Sequence, residues 1–261
     1  MSVSATVNYH IKSSETQAFE FDVDGIIGNL ISPELVPTQV TVHDVRDKHS
    51  NFNFENDGII FENHISEIKN FESTEDWEVS YDKELSALLK SKIGAQEVTI
   101  FDHTVRIDDP NSDRTPARNV HNDYSRQGAE QRLVDLLGEE KARTYLEGHY
   151  GFVNIWRPVE HIIKTAPLGF IRPSSMTSED WMSIELIYPD RLGQILGVAA
   201  NDDHDWFYLS EMSPAEVAIF NIYDNGGRPH LAHSALDMEE QVHVLTPRKS
   251  IESRTLVLYS K

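Results

Sequence analysis

Residues Asn119 to Ser125 read Asn-Val-His-Asn-Asp-Tyr-Ser and place His121 two positions before Asp123. In an extended segment, positions i and i+2 share a face, so this imidazole and this carboxylate point the same way. With a second histidine from elsewhere they would complete the two-histidine, one-carboxylate facial triad of non-haem Fe(II) chemistry. Spacing alone carries little. With 12 histidines among 261 residues, about one His-x-Asp is expected by chance. A histidine capping a turn and an aspartate solvating a loop would look the same.

The third ligand is sought downstream. His230-Leu-Ala-His233 follows the Gly226-Gly227 turn on an expected strand. Residues three apart on a strand face opposite ways, so only one of the two histidines points inward. His233 precedes Ser-Ala-Leu, small and apolar residues suited to a crowded interior, and is favoured as the ligand. His230, beside Pro229 at the strand's mouth, is the lesser choice. Further on, Arg248-Lys-Ser-Ile-Glu-Ser-Arg254 leads into the apolar Thr-Leu-Val-Leu-Tyr259. An arginine entering a buried strand needs an anion. One end of a dicarboxylate co-substrate would serve, because the guanidinium fork binds a carboxylate bidentately. A structural ion pair, with Glu252 for instance, would serve equally.

Along Phe152-Val-Asn-Ile-Trp156, Asn154 and Trp156 share a face and Arg157 takes the other. Asn154 is expected against the co-substrate. Either face could line the substrate pocket, so Trp156 and Arg157 are both candidates there, with His230 and with Tyr124 beside the ligand pair.

The elements that must hold these residues read as mostly β. Val40 to Val45 and Val98 to Val105 alternate or favour strand. Between about Ser73 and Ile93 the period changes, with Tyr81, Leu85, Leu88 and Leu89 forming the stripe of an amphipathic helix that stops at Gly94. Ala129 to Glu147 is helical in composition, with a break near Gly138. From Gly148 onward short strands alternate with turns, which points to a sandwich or barrel. A single domain is expected, with residues 1–95 supporting a barrel core at 96–261.

Composition narrows the function. Hydrophobic residues make up 39% and charged residues 25%, as in a soluble globular chain. No apolar run spans a bilayer and no signal-peptide pattern opens the chain, so a cytoplasmic protein is expected. The absence of cysteine removes disulfides, iron–sulfur clusters and thiol nucleophiles. A net charge of −20 argues against nucleic acid. There is no phosphate-binding glycine loop and no serine elbow. His43 and His103 read as structural, and the acidic turn around His204 as solvated.

Several blocks carry a family resemblance. Phe101-Asp-His-Thr-Val-Arg106, Val120-His-Asn-Asp123, Asn154-Ile-Trp-Arg-Pro158, Glu185-Leu-Ile-Tyr-Pro-Asp-Arg191, Trp206-Phe-Tyr-Leu-Ser-Glu-Met212, His233-Ser-Ala-Leu236 and Ser250-Ile-Glu-Ser-Arg254 keep the order of the AsaB-type hydroxylase/desaturase family. The chain resembles that family, which includes gibberellin desaturase and cephamycin 7-hydroxylase types, from about Val40 onward. The resemblance implies a mainly β chain with flanking helices, built on a double-stranded β-helix (jelly-roll, cupin-like) barrel that uses Fe(II) and 2-oxoglutarate. It implies iron on His121, Asp123 and His233, and the distal carboxylate of 2-oxoglutarate on Arg254, with Arg248 the alternative. Ala232, Leu236 and His230 depart from the proline, phenylalanine and arginine usual at those places. Expected partners are O2 and a small natural product, a homodimer being allowed and nucleic acid and membrane not. Some members of that family act in fungal meroterpenoid pathways, one forming an endoperoxide in the novofumigatonin pathway. The rival reading is a cupin-like binding protein without catalysis.

Overall fold

In a computed structural model of the chain, the structure describes residues 1–21, 30–71, 77–239 and 246–260. In chain order the elements are β1 (Ser2–His10), β2 (Gln17–Phe21), β3 (Leu30–Ile31), β4 (Leu35–Asp44), α1 (Phe54–Asp57), β5 (Ile59–Asn63) and α2 (Trp77–Ile93). Then come β6 (Ala95–Ile107), β7 (His121–Asn122), α3 (Arg126–Leu146), β8 (Tyr150–Pro158), β9 (Leu168–Ile171), β10 (Trp181–Ile187) and β11 (Leu192–Val198). The chain closes with β12 (Trp206–Tyr208), β13 (Glu216–Asp224), β14 (His233–Ala235), β15 (Asp237–Met238) and β16 (Lys249–Tyr259).

Two sheets face each other as a jelly roll. The larger has eleven strands in the order β15-β1-β4-β12-β9-β14-β7-β11-β10-β2-β3; the smaller has five, β5-β13-β8-β16-β6. Between them Phe170 and Phe207 from the large sheet meet Phe152, Trp156 and Phe220 from the small one. Removal of these rings from water is the main driving force joining the layers.

Strand β8 shows how the layers are specified. All nine of its residues are buried, so both of its faces are covered. Phe152 and Trp156 belong to the core between the sheets, whereas Val153 and Ile155 belong to a second core under α2. That helix presents Tyr81, Leu85, Leu88, Leu89 and Ile93, the stripe expected from sequence. The first residues of the expected helix, Ser73 to Asp76, lie outside the described residues.

Residues 1–95 do more than buttress the barrel. Strand β4 pairs with β1 and β12, and β5 extends the small sheet beside β13. Val7, Tyr9 and Val42 cover Val120, Ile171 and Val198 on the outer face of the large sheet. Pairing and covering in this way leave fewer sheet edges open. Among the described residues no helix is long and apolar enough to cross a membrane.

Helix α3 begins directly after the His121–Asp123 segment. Ser125 caps it, its Oγ accepting from the Gly128 amide at 3.0 Å. Gly138, at φ 74° and ψ 162°, interrupts the helix where a break was expected. Gly128 packs against β11 so closely that a Cβ would lie 2.2 Å from the Gln194 carbonyl oxygen. Gly128→Ala must therefore push the start of α3 away from the sheet. It should lower stability by about 2 kcal/mol, read from chemical denaturation.

Candidate metal centre

Strand β7 is only two residues long, and it sets His121 between Gly197 of β11 and His233 of β14. Directly opposed residues on paired strands share a face, so the two imidazoles meet, their ring centroids 4.5 Å apart. Asp123 follows just past the strand. Its Oδ1 lies 3.4 Å from His121 Nε2 and 4.0 Å from His233 Nε2. All three ligand atoms fall within 4.8 Å of one another, and among the described residues no other such group of His, Asp or Glu is found.

The tautomers are arranged for metal. His121 Nδ1 is 2.8 Å from the Asn119 carbonyl and His233 Nδ1 is 3.0 Å from the Leu231 carbonyl. Each carbonyl takes the Nδ1 proton, so Nε2 is the nitrogen that each ring turns toward Asp123. Burial, reinforced by neighbouring His121, pushes the His233 imidazole down to about 3, so it is neutral, the form that binds a metal. Burial would raise the Asp123 carboxyl, but Arg254 and the two histidines hold it well below the usual range. Two imidazole nitrogens and one carboxylate oxygen fit Fe(II).

The other Asp123 oxygen is occupied. Oδ2 accepts from Asn154 Nδ2 at 2.8 Å and from Arg254 Nε at 3.1 Å. Asn154, expected against the co-substrate, thus braces the metal-binding carboxylate. Arg254, expected as the co-substrate anchor, is placed among carboxylates. Its Nη1 lies 2.6 Å from Asp102 and its Nη2 2.7 Å from Glu252, so its fork is already filled by carboxylates.

Arg248 is the contrasting case. It is 3% exposed, yet among the described residues no carboxylate lies within ion-pair distance. Its Nε and Nη2 donate to Ser250 Oγ at 3.3 and 3.2 Å, its Nη1 to the Ala166 carbonyl, and its guanidinium lies 5.1 Å from the Trp156 ring centre. Burial first, then the charge of Arg106, pushes Arg248 down to about 9. Arg106 stands opposite Ser250 on β6 and spends one donor on the Thr115 carbonyl, 2.9 Å away. Sequence reasoning passed over it, although it closes the block Phe101–Arg106.

The expected substrate residues divide. Trp156 is on the inner face with Asn154, and Tyr124 packs 4.9 Å from Phe152 with its hydroxyl raised to about 12 by burial and by Asp123. Arg157 takes the opposite face of β8 from Trp156. It points under α2, 5.6 Å from the Tyr81 ring centre and 2.6 Å from His64 Nδ1. His230 stacks 4.9 Å from Trp181, whose strand partner is Val198 of the outer core. It therefore sits on the outer core, although β14 begins only at His233 and the expected strand does not reach it. Beneath α2, His103 bonds Ser253 Oγ at 2.8 Å and Asp82 at 3.0 Å, but Ser253 is fully buried, so this relay is structural.

Comparisons with known proteins agree with this architecture. The chain is 28% identical to the hydroxylase/desaturase efuI of Hormonema carpetanum over 84% of this chain and 83% of that one. It is 28% identical to the Fe(II)/2-oxoglutarate-dependent dioxygenase nvfI of Aspergillus novofumigatus, covering 85% and 83%. Among solved structures, a variant of the iron and alpha-ketoglutarate-dependent endoperoxidase NvfI superposes with a TM-score of 0.90 at 22% identity, over 100% of this chain and 98% of that one. At that identity the superposition speaks for the jelly-roll fold. A family profile described as the oxidoreductase/YMDC permease-like domain matches residues 7–258, and the chain belongs to that family.

Proposed function

We propose that the chain is an Fe(II)/2-oxoglutarate-dependent dioxygenase that oxidises a small natural product. The observation that carries this reading is the convergence of two Nε2 atoms and one carboxylate oxygen, with both Nδ1 atoms held by backbone carbonyls. Relatives named as hydroxylase/desaturase and as 2-oxoglutarate-dependent dioxygenase support it. The named activities of these relatives favour catalysis over a binding protein without it.

Iron bound there with 2-oxoglutarate would supply activation of O2 and removal of a substrate hydrogen, releasing succinate and CO2. The chain's own groups do the rest. His121, Asp123 and His233 hold the metal. Arg248 and Ser250, flanked by Arg106, receive the distal carboxylate of the co-substrate, because this guanidinium is buried and among the described residues no carboxylate pairs with it. Trp156 and Tyr124 furnish the apolar surface that excludes water around the organic substrate. Whether oxidation ends as hydroxylation, desaturation or endoperoxidation is assigned by product analysis.

Anaerobic addition of Fe(II) and 2-oxoglutarate should produce a visible charge-transfer absorbance that is lost in His121→Ala. Admission of O2 should then yield succinate, faster when a true substrate is present. Lack of both the absorbance and succinate would defeat the proposal, and turnover with zinc in the absence of O2 would favour a hydrolase or isomerase on the same barrel.

A further inference from the structure

We infer that Arg254 is a positioning residue that keeps Asp123 to a single metal-binding oxygen. The inference rests on the metal-site reading above and assigns Arg254 a role other than holding the co-substrate.

A facial triad leaves metal positions open for co-substrate and O2. A carboxylate can supply one oxygen or two, and a second would take one of those positions. Here the choice is built into the wall. Asp123 Oδ2 accepts two hydrogen bonds, from Asn154 and from Arg254, and only Oδ1 faces the two Nε2 atoms. The clamp is itself held. On the small sheet, Arg254 stands opposite Asn154 of β8 on one side and Asp102 of β6 on the other. Asp102 and Glu252 grip its two terminal nitrogens, and Thr104 Oγ1 lies 3.4 Å from Nη1.

Charge adds a reason for three carboxylates around one guanidinium. Asp102 and Glu252 fix the position of the cation, so Nε is presented to Asp123 in one orientation. An arginine waiting for a dicarboxylate would keep its two-pronged end open. Arg254 uses that end on the protein and offers only its Nε inward. Arg248, a few residues earlier on the same segment, meets Ser250 Oγ and the Ala166 carbonyl but no carboxylate among the described residues.

The test uses Co(II) as the probe, loaded anaerobically into the full chain, because its visible d–d bands report coordination number without turnover. Variants are Arg254→Gln, Arg254→Lys and Asn154→Ala, with His121→Ala as the control that removes the site. Before 2-oxoglutarate is added, Arg254→Gln should show changed d–d intensity and about 10–100-fold weaker Co(II) binding. Asn154→Ala should shift the spectrum the same way, more weakly, and it tests the clamp even if Arg254→Gln fails to fold. Arg254→Lys, lacking an Nε donor, should resemble Arg254→Gln. If instead all three variants keep the wild-type Co(II) spectrum and affinity while the Arg254 variants lose 2-oxoglutarate affinity, the positioning role is overturned and Arg254 is the anchor. If His121→Ala leaves the wild-type Co(II) spectrum intact, the metal-site reading itself falls, an outcome distinct from the first.

Discussion

His233→Ala is expected to abolish 2-oxoglutarate turnover, by about a thousandfold or more, and to leave the chain without stoichiometric iron. The side chain is one of three metal donors, and the Nδ1 bond to Leu231 leaves it no other use for Nε2. Phe220 and Phe170 pack around the ring, with centroids 5.0 and 6.3 Å away, so truncation opens a small cavity between apolar neighbours. Loss of stability should stay within about 2–4 kcal/mol, in the range of large-to-small core changes. Succinate release and metal content read the first effect, and denaturant unfolding reads the second. His230→Ala separates the two histidines. It lies across the strand on Trp181, and its removal should leave metal content and turnover near wild type. Turnover surviving in His233→Ala, or lost in His230→Ala, would assign the ligand to the other histidine.

The metal segment was legible because its signal is local. Two residues apart in extended chain decides a shared face, and a glycine turn followed by small residues marks the strand that carries His233. The arginines were harder to read, for a reason visible in β16. That strand begins at Lys249, yet Ser250, Glu252 and Arg254 on its inner face are polar, so the stretch resembles a loop feeding a strand at Arg254. In the structure Arg254 is therefore mid-strand among carboxylates, and Arg248 stands at the entry. Arg157 illustrates a different limit. Alternation on β8 separates its side from that of Trp156, but both sides are buried, and only the packing of α2 decides which one faces the metal. Tyr81 and His64, distant in sequence, receive Arg157 on the far side. The expected helices fared better, because a stripe of apolar residues against one sheet face is a local pattern and Gly138 breaks α3 by its own backbone conformation.

Arg248→Met is expected to weaken 2-oxoglutarate binding roughly a hundredfold while leaving Co(II) or Fe(II) affinity unchanged. The loss corresponds to removing charge-assisted hydrogen bonds to one carboxylate. Arg248→Lys should recover only part of it, since an ammonium cannot reproduce the planar fork that Ser250 now orients. Stability should move the opposite way. Arg248 is charged in the unfolded chain throughout the neutral range, and burial lowers its folded value to about 9. Folding without an anion therefore carries the cost of burying the charge at every pH below about 9, and that cost fades only as pH rises through the folded value. Methionine fills similar space without charge, so the variant should be about 1–3 kcal/mol more stable than wild type at pH 7. The gap should narrow above pH 9, and also when 2-oxoglutarate is added at neutral pH, because the ligand supplies wild type with the missing anion and binds the variant poorly. Paired thermal melts with and without 2-oxoglutarate, at pH 7 and pH 10, measure all three effects. A variant that is less stable than wild type and still binds 2-oxoglutarate normally would mean that Arg248 serves the fold and not the co-substrate.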